Sequence, residues 1–111
     1  MAYDEDLANG IREVLCGEAD VSEKKMFGGL AFLAGGHLAV AASGKGGLMV
    51  RVDPEEADAL LDKPGVRPFE MRGRPLDGWV RVAADRVRTK HQLEPWVQCG
   101  VSYARSLPPK G

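Results

Sequence analysis

Lys24–Val52 reads KKMFGGLAFLAGGHLAVAASGKGGLMVRV, and its punctuation decides the fold. Three apolar runs are separated by glycine pairs, with almost no charge between Lys25 and Lys45. Gly35-Gly36 and Gly44-Lys45-Gly46-Gly47 are turn chemistry, because glycine takes positive φ without a steric penalty. Runs of about eight residues joined by such turns predict a three-stranded antiparallel meander, with strands near Lys25–Leu33, His37–Ala42 and Leu48–Val52. A meander buries one face and needs something to cover it.

The flanks supply the cover. Upstream, Asp4 is placed to cap a helix whose Leu7, Ile11, Val14 and Leu15 share one face, and Gly17 ends it. Gly10 inside that helix costs about 1 kcal/mol relative to alanine, so the helix depends on packing. Downstream, Asp53-Pro54-Glu55-Glu56 has the form of a helix start, with proline at the first helical position. Ala57, Leu60 and Leu61 form the apolar side of that helix, and Pro64-Gly65 closes it. Two strands follow, Arg67–Met71 and Gly78–Ala83, joined by a turn over Gly73-Arg74-Pro75-Leu76-Asp77. In the second strand Trp79 and Arg81 alternate with Val80 and Val82, giving one mixed and one apolar face.

A last helix carries Leu93, Trp96, Val97, Gly100, Val101 and Ala104 as one stripe. Thr89 and Gln92 have capping-box spacing, but Pro95 conflicts with the carbonyl four residues back. The regular helix is therefore expected to begin near Pro95. The resulting order, α-β-β-β-α-β-β-α, is an α+β domain with helices packed on an antiparallel sheet, expected to occupy residues 1–111 as one unit.

Composition narrows the function classes. Two cysteines, Cys16 and Cys99, stand far apart, which argues for reduced thiols rather than a disulfide framework. No apolar run approaches the ~20 residues of a membrane span, and the acidic N-terminus lacks the plan of a signal peptide. A cytoplasmic location without membrane contact is expected. Net charge is −1, which offers no bulk attraction to nucleic acid, although the distribution is uneven. Residues 1–23 carry seven acids against Arg12, a net of −6, whereas residues 67–90 carry seven bases against three acids, a net of +4. Such asymmetry marks either an interaction face or two halves that attract each other.

Catalytic and cofactor patterns fail on detail. The Gly44–Gly47 tetrad has Ala39 where a phosphate loop needs glycine and Gly46 where it needs serine or threonine. No helix follows Gly28-Gly29, as a dinucleotide fingerprint requires. His37 and His91 have no partner at ligand spacing, so no metal is expected. Cys16 and Cys99 sit toward the C-terminal halves of their helices, the wrong end for lowering a thiol pKa. No catalytic residue and no cofactor are expected. The candidate interaction residues are Lys24, Lys25, Arg67, Arg72, Arg74 and Trp79, read as a nucleic-acid surface because arginine meets phosphates bidentately and exposed aromatics stack bases. The bland reading makes Phe69 and Trp79 core residues, the arginines solvated, and the two lysines a guard against edge pairing.

Taken together, Lys25-Met26-Phe27-Gly28-Gly29-Leu30-Ala31-Phe32, Gly47-Leu48-Met49-Val50-Arg51-Val52, Gly78-Trp79-Val80, and Trp96-Val97 with Ala104-Arg105-Ser106-Leu107-Pro108 resemble the TfoX N-terminal domain family (TfoX/Sxy). The resemblance covers about residues 3–110 and implies an α+β domain of the YgaC/TfoX-N type. Long members of that family are competence regulators thought to act with a cyclic-AMP receptor-type transcription factor, and they carry a second, helical domain. The resemblance implies a stand-alone domain here, acting as a non-enzymatic regulatory or protein-interaction module with a protein partner or as a homodimer. It brings no catalytic residues. Two other readings stand beside it: nucleic-acid binding through the Arg67–Lys90 basic segment, and a small-ligand site or enzyme built around a pocket lined by His37, Arg51 or Cys99.

Overall fold

Helix α1, Glu5–Val14, starts where the sequence places it. The Asp4 carboxylate accepts hydrogen bonds from the amides of Asp6 and Leu7, two donors that a helix start otherwise leaves unpaired. The computed structural model describes residues 4–26, 28–44, 46–71 and 73–108. After α1 come β1 (Val21–Met26), β2 (Gly29–Ala34), β3 (His37–Ala42) and β4 (Leu48–Arg51), each antiparallel to the one before. The expected strand Lys25–Leu33 is thus two strands, because the chain reverses between Met26 and Gly29, which pair with each other. Gly28 at φ +73 is part of a hairpin turn rather than a strand interior, and Phe27 lies outside the described residues. Otherwise the α+β class and the order of elements are those expected.

The Gly44–Gly47 segment is a hairpin turn. The Ser43 amide donates to the Gly47 carbonyl and the Gly46 amide to the Ser43 carbonyl, both at 3.0 Å. Gly46 and Gly47 sit at φ +90 and +81, where a side chain is strained, so the tetrad's glycines serve the reversal. Lys45 lies outside the described residues.

Helix α2, Pro54–Leu61, is capped by Asp53, whose side chain accepts from the Glu55 amide at 2.9 Å. It leads to β5 (Val66–Met71) and β6 (Arg74–Val82). Strand β6 pairs with β4, so the sheet order is β1-β2-β3-β4-β6-β5. The expected turn over Gly73–Asp77 is a correction: β6 already begins at Arg74. Pro68 faces Val80 but Glu70 faces Pro75, so β6 bulges between these pairs, with Gly78 at φ +82. Proline is tolerated there because the β4 pairing runs over residues 79–82 and does not call on the backbone at 75.

A 3₁₀ turn over Ala84–Arg86 precedes α3, Lys90–Ser106. The expected start near Pro95 is also corrected. Thr89 Oγ1 accepts from the Gln92 amide and Gln92 Oε1 from the Thr89 amide, which completes a capping box and founds the first turn. Pro95 then removes one hydrogen bond from an already nucleated helix.

All three helices cover the same face of the sheet. Leu7, Ala8 and Ile11 of α1 and Leu93, Val97 and Val101 of α3 pack on Phe32, Val40, Val50, Val80 and Val82, with Ala57, Leu60 and Leu61 of α2 beside them. Helix α3 comes closest at Gly100, where a Cβ would lie 2.5 Å from the Ala39 carbonyl oxygen and 2.8 Å from Val40 Cγ1. Among the described residues no helix is long and apolar enough to cross a membrane.

Candidate functional site

Period-2 alternation leaves the opposite face of the sheet with its own side chains. Pairing defines one row across all six strands: Lys24, Ala31, Ala41, Met49, Arg81 and Arg67. Beside it, Leu33 faces Leu38, and Arg51 faces Trp79. A register shift between Phe32 and Leu33 keeps Leu38 on this face while Ala39 and Val40 both serve the core. Among the described residues the second apolar cluster consists of strand residues. Ala31, Ala41 and Met49 are 0, 2 and 3% exposed, and half-buried Leu33, Leu38, Phe69 and Trp79 pack around them. No helix residue joins this cluster.

Arginines frame the apolar floor. The Arg51 guanidinium lies 5.7 Å from the ring centroid of Trp79 and 5.7 Å from that of Tyr103, cation–π distances for both. Phe69 and Trp79 are tilted by 54° at 6.4 Å. Arg81 Nη2 donates to the Gly46 carbonyl at 2.9 Å, which fixes the guanidinium beside the β3–β4 turn. Arg67 stands directly opposite Arg81, a like-charge cross-strand pair that contributes no stability of its own. Both line a recess of about 800 Å³, together with Glu70, Gly46 and Gly47.

The structure sorts the expected residues. Lys24, Arg67 and Trp79 share the helix-free face, but Lys24 and Arg67 stand on its opposite edge strands, β1 and β5. Lys25 pairs with Leu30 and so belongs to the helix side of β1, although it is exposed at the sheet edge. Arg74 is exposed at the start of β6, beyond the part paired with β4, and Arg72 lies outside the described residues. Among the described bases of the Arg67–Lys90 segment, Arg67 and Arg81 serve the open face, whereas Arg86 lines a groove beside α2 and α3. Phe69 and Trp79 are half-buried on the face away from the helices. Arg51, Arg81, Leu33 and Leu38 were not among the expected interaction residues, although the alternation of Leu48-Met49-Val50-Arg51 against Trp79-Val80-Arg81-Val82 carries the signal. The acidic segment's described ion pairs, Arg12–Glu23 at 2.8 Å and Glu18–Arg105 at 3.6 Å, involve none of the 67–90 bases.

The groove beside α2 and α3 holds about 400 Å³ and brings Cys99 near His91 and Trp96. Burial, aided by the Glu56 charge, pushes the Cys99 thiol above its ordinary value, the opposite direction from an activated nucleophile. His37 Nε2 donates to the Pro108 carbonyl, which ties the segment after α3 to the start of β3. Both cysteines are free thiols. Among the described residues no group of three or more His, Cys, Asp or Glu could hold a metal ion.

Comparison with known proteins gives one result. The model of the TfoX N-terminal domain matches residues 13–104, from the end of α1 through all six strands to Ala104 of α3. No curated protein matches the chain, and no solved structure does.

Proposed function

The chain belongs to the TfoX N-terminal domain family, and from that premise we propose that it works as a non-enzymatic regulatory module that docks a protein partner on the helix-free face of its sheet. The observation that carries this reading is the second apolar cluster. Leu33, Leu38, Phe69 and Trp79 stay half-exposed over a floor of Ala31, Ala41 and Met49 that no helix covers. Apolar patches of this kind, rimmed by charge, mark contact surfaces. Two free thiols suit a reducing compartment such as the cytoplasm.

The test compares capture by the tagged full chain from native lysate, after nuclease treatment, for wild type, Leu38→Glu and Asp58→Lys. The reading expects one stoichiometric protein, retained by Asp58→Lys on the exposed side of α2 and lost with Leu38→Glu. Equal capture by all three variants would remove the open face from the account. Capture that vanishes with nuclease would favour nucleic acid instead.

A further inference from the structure

We infer that the segment received by the open face is acidic and amphipathic: its carboxylates meet Arg67 and Arg81, and its apolar side chains lie on Leu33, Leu38 and Trp79. This rests on the reading of that face as a docking surface and adds the chemistry of the partner. The charge on the paired rows of this face is one-sided among the described residues. The rows set by strand pairing carry Lys24, Arg51, Arg67 and Arg81, and among the described residues of those rows there is no aspartate or glutamate. Glu70 enters only at the rim, where it lines the recess with the two arginines. Arg67 and Arg81 oppose each other across the β5–β6 pair and line one recess, so an anion placed there meets two guanidinium groups. Guanidinium forks match carboxylates in bidentate geometry, and the recess of about 800 Å³ has room for acidic side chains.

Other occupants fit less well. A second copy docked face to face would set these cations against their own images. A second copy offering its acidic α1 would bring Glu5, Asp6 and Glu13, but Leu7 and Ile11 of that helix are buried in its own core and cannot reach the floor. Single-stranded nucleic acid needs free aromatic faces for its bases. Here Arg51 already lies over Trp79, Phe69 tilts against it, and the rest of the floor is aliphatic. An acid-rich segment with leucine or aromatic anchors satisfies both halves of the surface.

Panning of the full chain against a displayed library of random 16-residue peptides tests the inference, with an oligothymidylate 15-mer as a second probe. The expected winners combine Asp or Glu with Leu, Phe or Trp. Their binding should weaken on the order of tenfold or more in Arg67→Glu and fall with added salt. Arg67 is exposed and makes no described ion pair, so this variant leaves the fold intact, and retained circular dichroism checks that. The double variant Arg67→Glu/Arg81→Glu should select basic peptides instead. Winners that are neutral or basic on the wild type, yet lost with Leu38→Glu, would overturn the acidic partner and leave the docking face standing. Winners indifferent to Leu38→Glu would overturn both. Tight oligothymidylate binding lost in Arg67→Glu would assign the face to nucleic acid and overturn the inference.

Discussion

Gly100 shows how one residue sets the distance between layers. Any Cβ at this position meets the Ala39 carbonyl oxygen at 2.5 Å, and a backbone atom cannot step aside as a side-chain tip can. Gly100→Val should therefore lift α3 from the sheet and lower stability by at least about 2 kcal/mol, read as a lower urea midpoint. Glu23 shows a weaker, pH-dependent bond. Arg12 Nε and Nη2 both donate to its carboxylate at 2.8 Å, and this hydrogen bonding holds the Glu23 carboxyl below its ordinary value. A lowered pKa means the contribution is complete above the ordinary carboxylate range and is lost as pH falls through the depressed value. Both side chains are about two-fifths exposed, so solvent screening keeps the effect small. Glu23→Gln should cost less than about 1 kcal/mol at pH 7, with the difference from wild type gone near pH 2. Denaturant titrations at the two pH values check this.

At the scale of elements, capping signals were the most legible part of the sequence. Asp4, Asp53 and Thr89 all cap the helices they precede. Thr89→Ala should cost about 1 kcal/mol by removing the acceptor for the Gln92 amide, measured as a drop in thermal stability. Where reading failed, backbone geometry hid behind composition. Gly28-Gly29 looks like the middle of an apolar run, but Gly28 belongs to a turn and Gly29 to β2. Pro75, Asp77 and Gly78 look like a loop, but a bulge on β6, outside its pairing with β4, accepts all three. Pro95 looks like a helix boundary, but the capping box had already nucleated the helix five residues earlier. In each case a cross-strand partner or a cap overrode local propensity, and neither can be read from a window of a few residues.

At the scale of the molecule, the sheet has two faces with different roles. One is closed by α1, α2 and α3, and the other keeps an apolar floor framed by arginine. The sequence showed the pieces of this second face, since Lys24, Arg67 and Trp79 were candidates from their residue types alone. It could not show that Arg51 and Arg81 join them, because β4 and β6 become neighbours only after the crossover through α2. Lys25 parted from Lys24 for the opposite reason: adjacent strand residues face opposite ways. If the open face exists for contact rather than for stability, its half-exposed anchors should tolerate polarity. Leu38→Glu should shift the urea midpoint little, on the scale of a surface change of about 0.5 kcal/mol, whereas Val40→Glu in the helix-covered core should prevent folding.

The most direct measurement places a photoreactive residue at position 38, or at position 58 on the exposed side of α2, and illuminates each full-length protein in native lysate. The account predicts a discrete protein adduct from position 38 and none from position 58. Adducts of equal yield and pattern from both positions, or from position 58 alone, would contradict it.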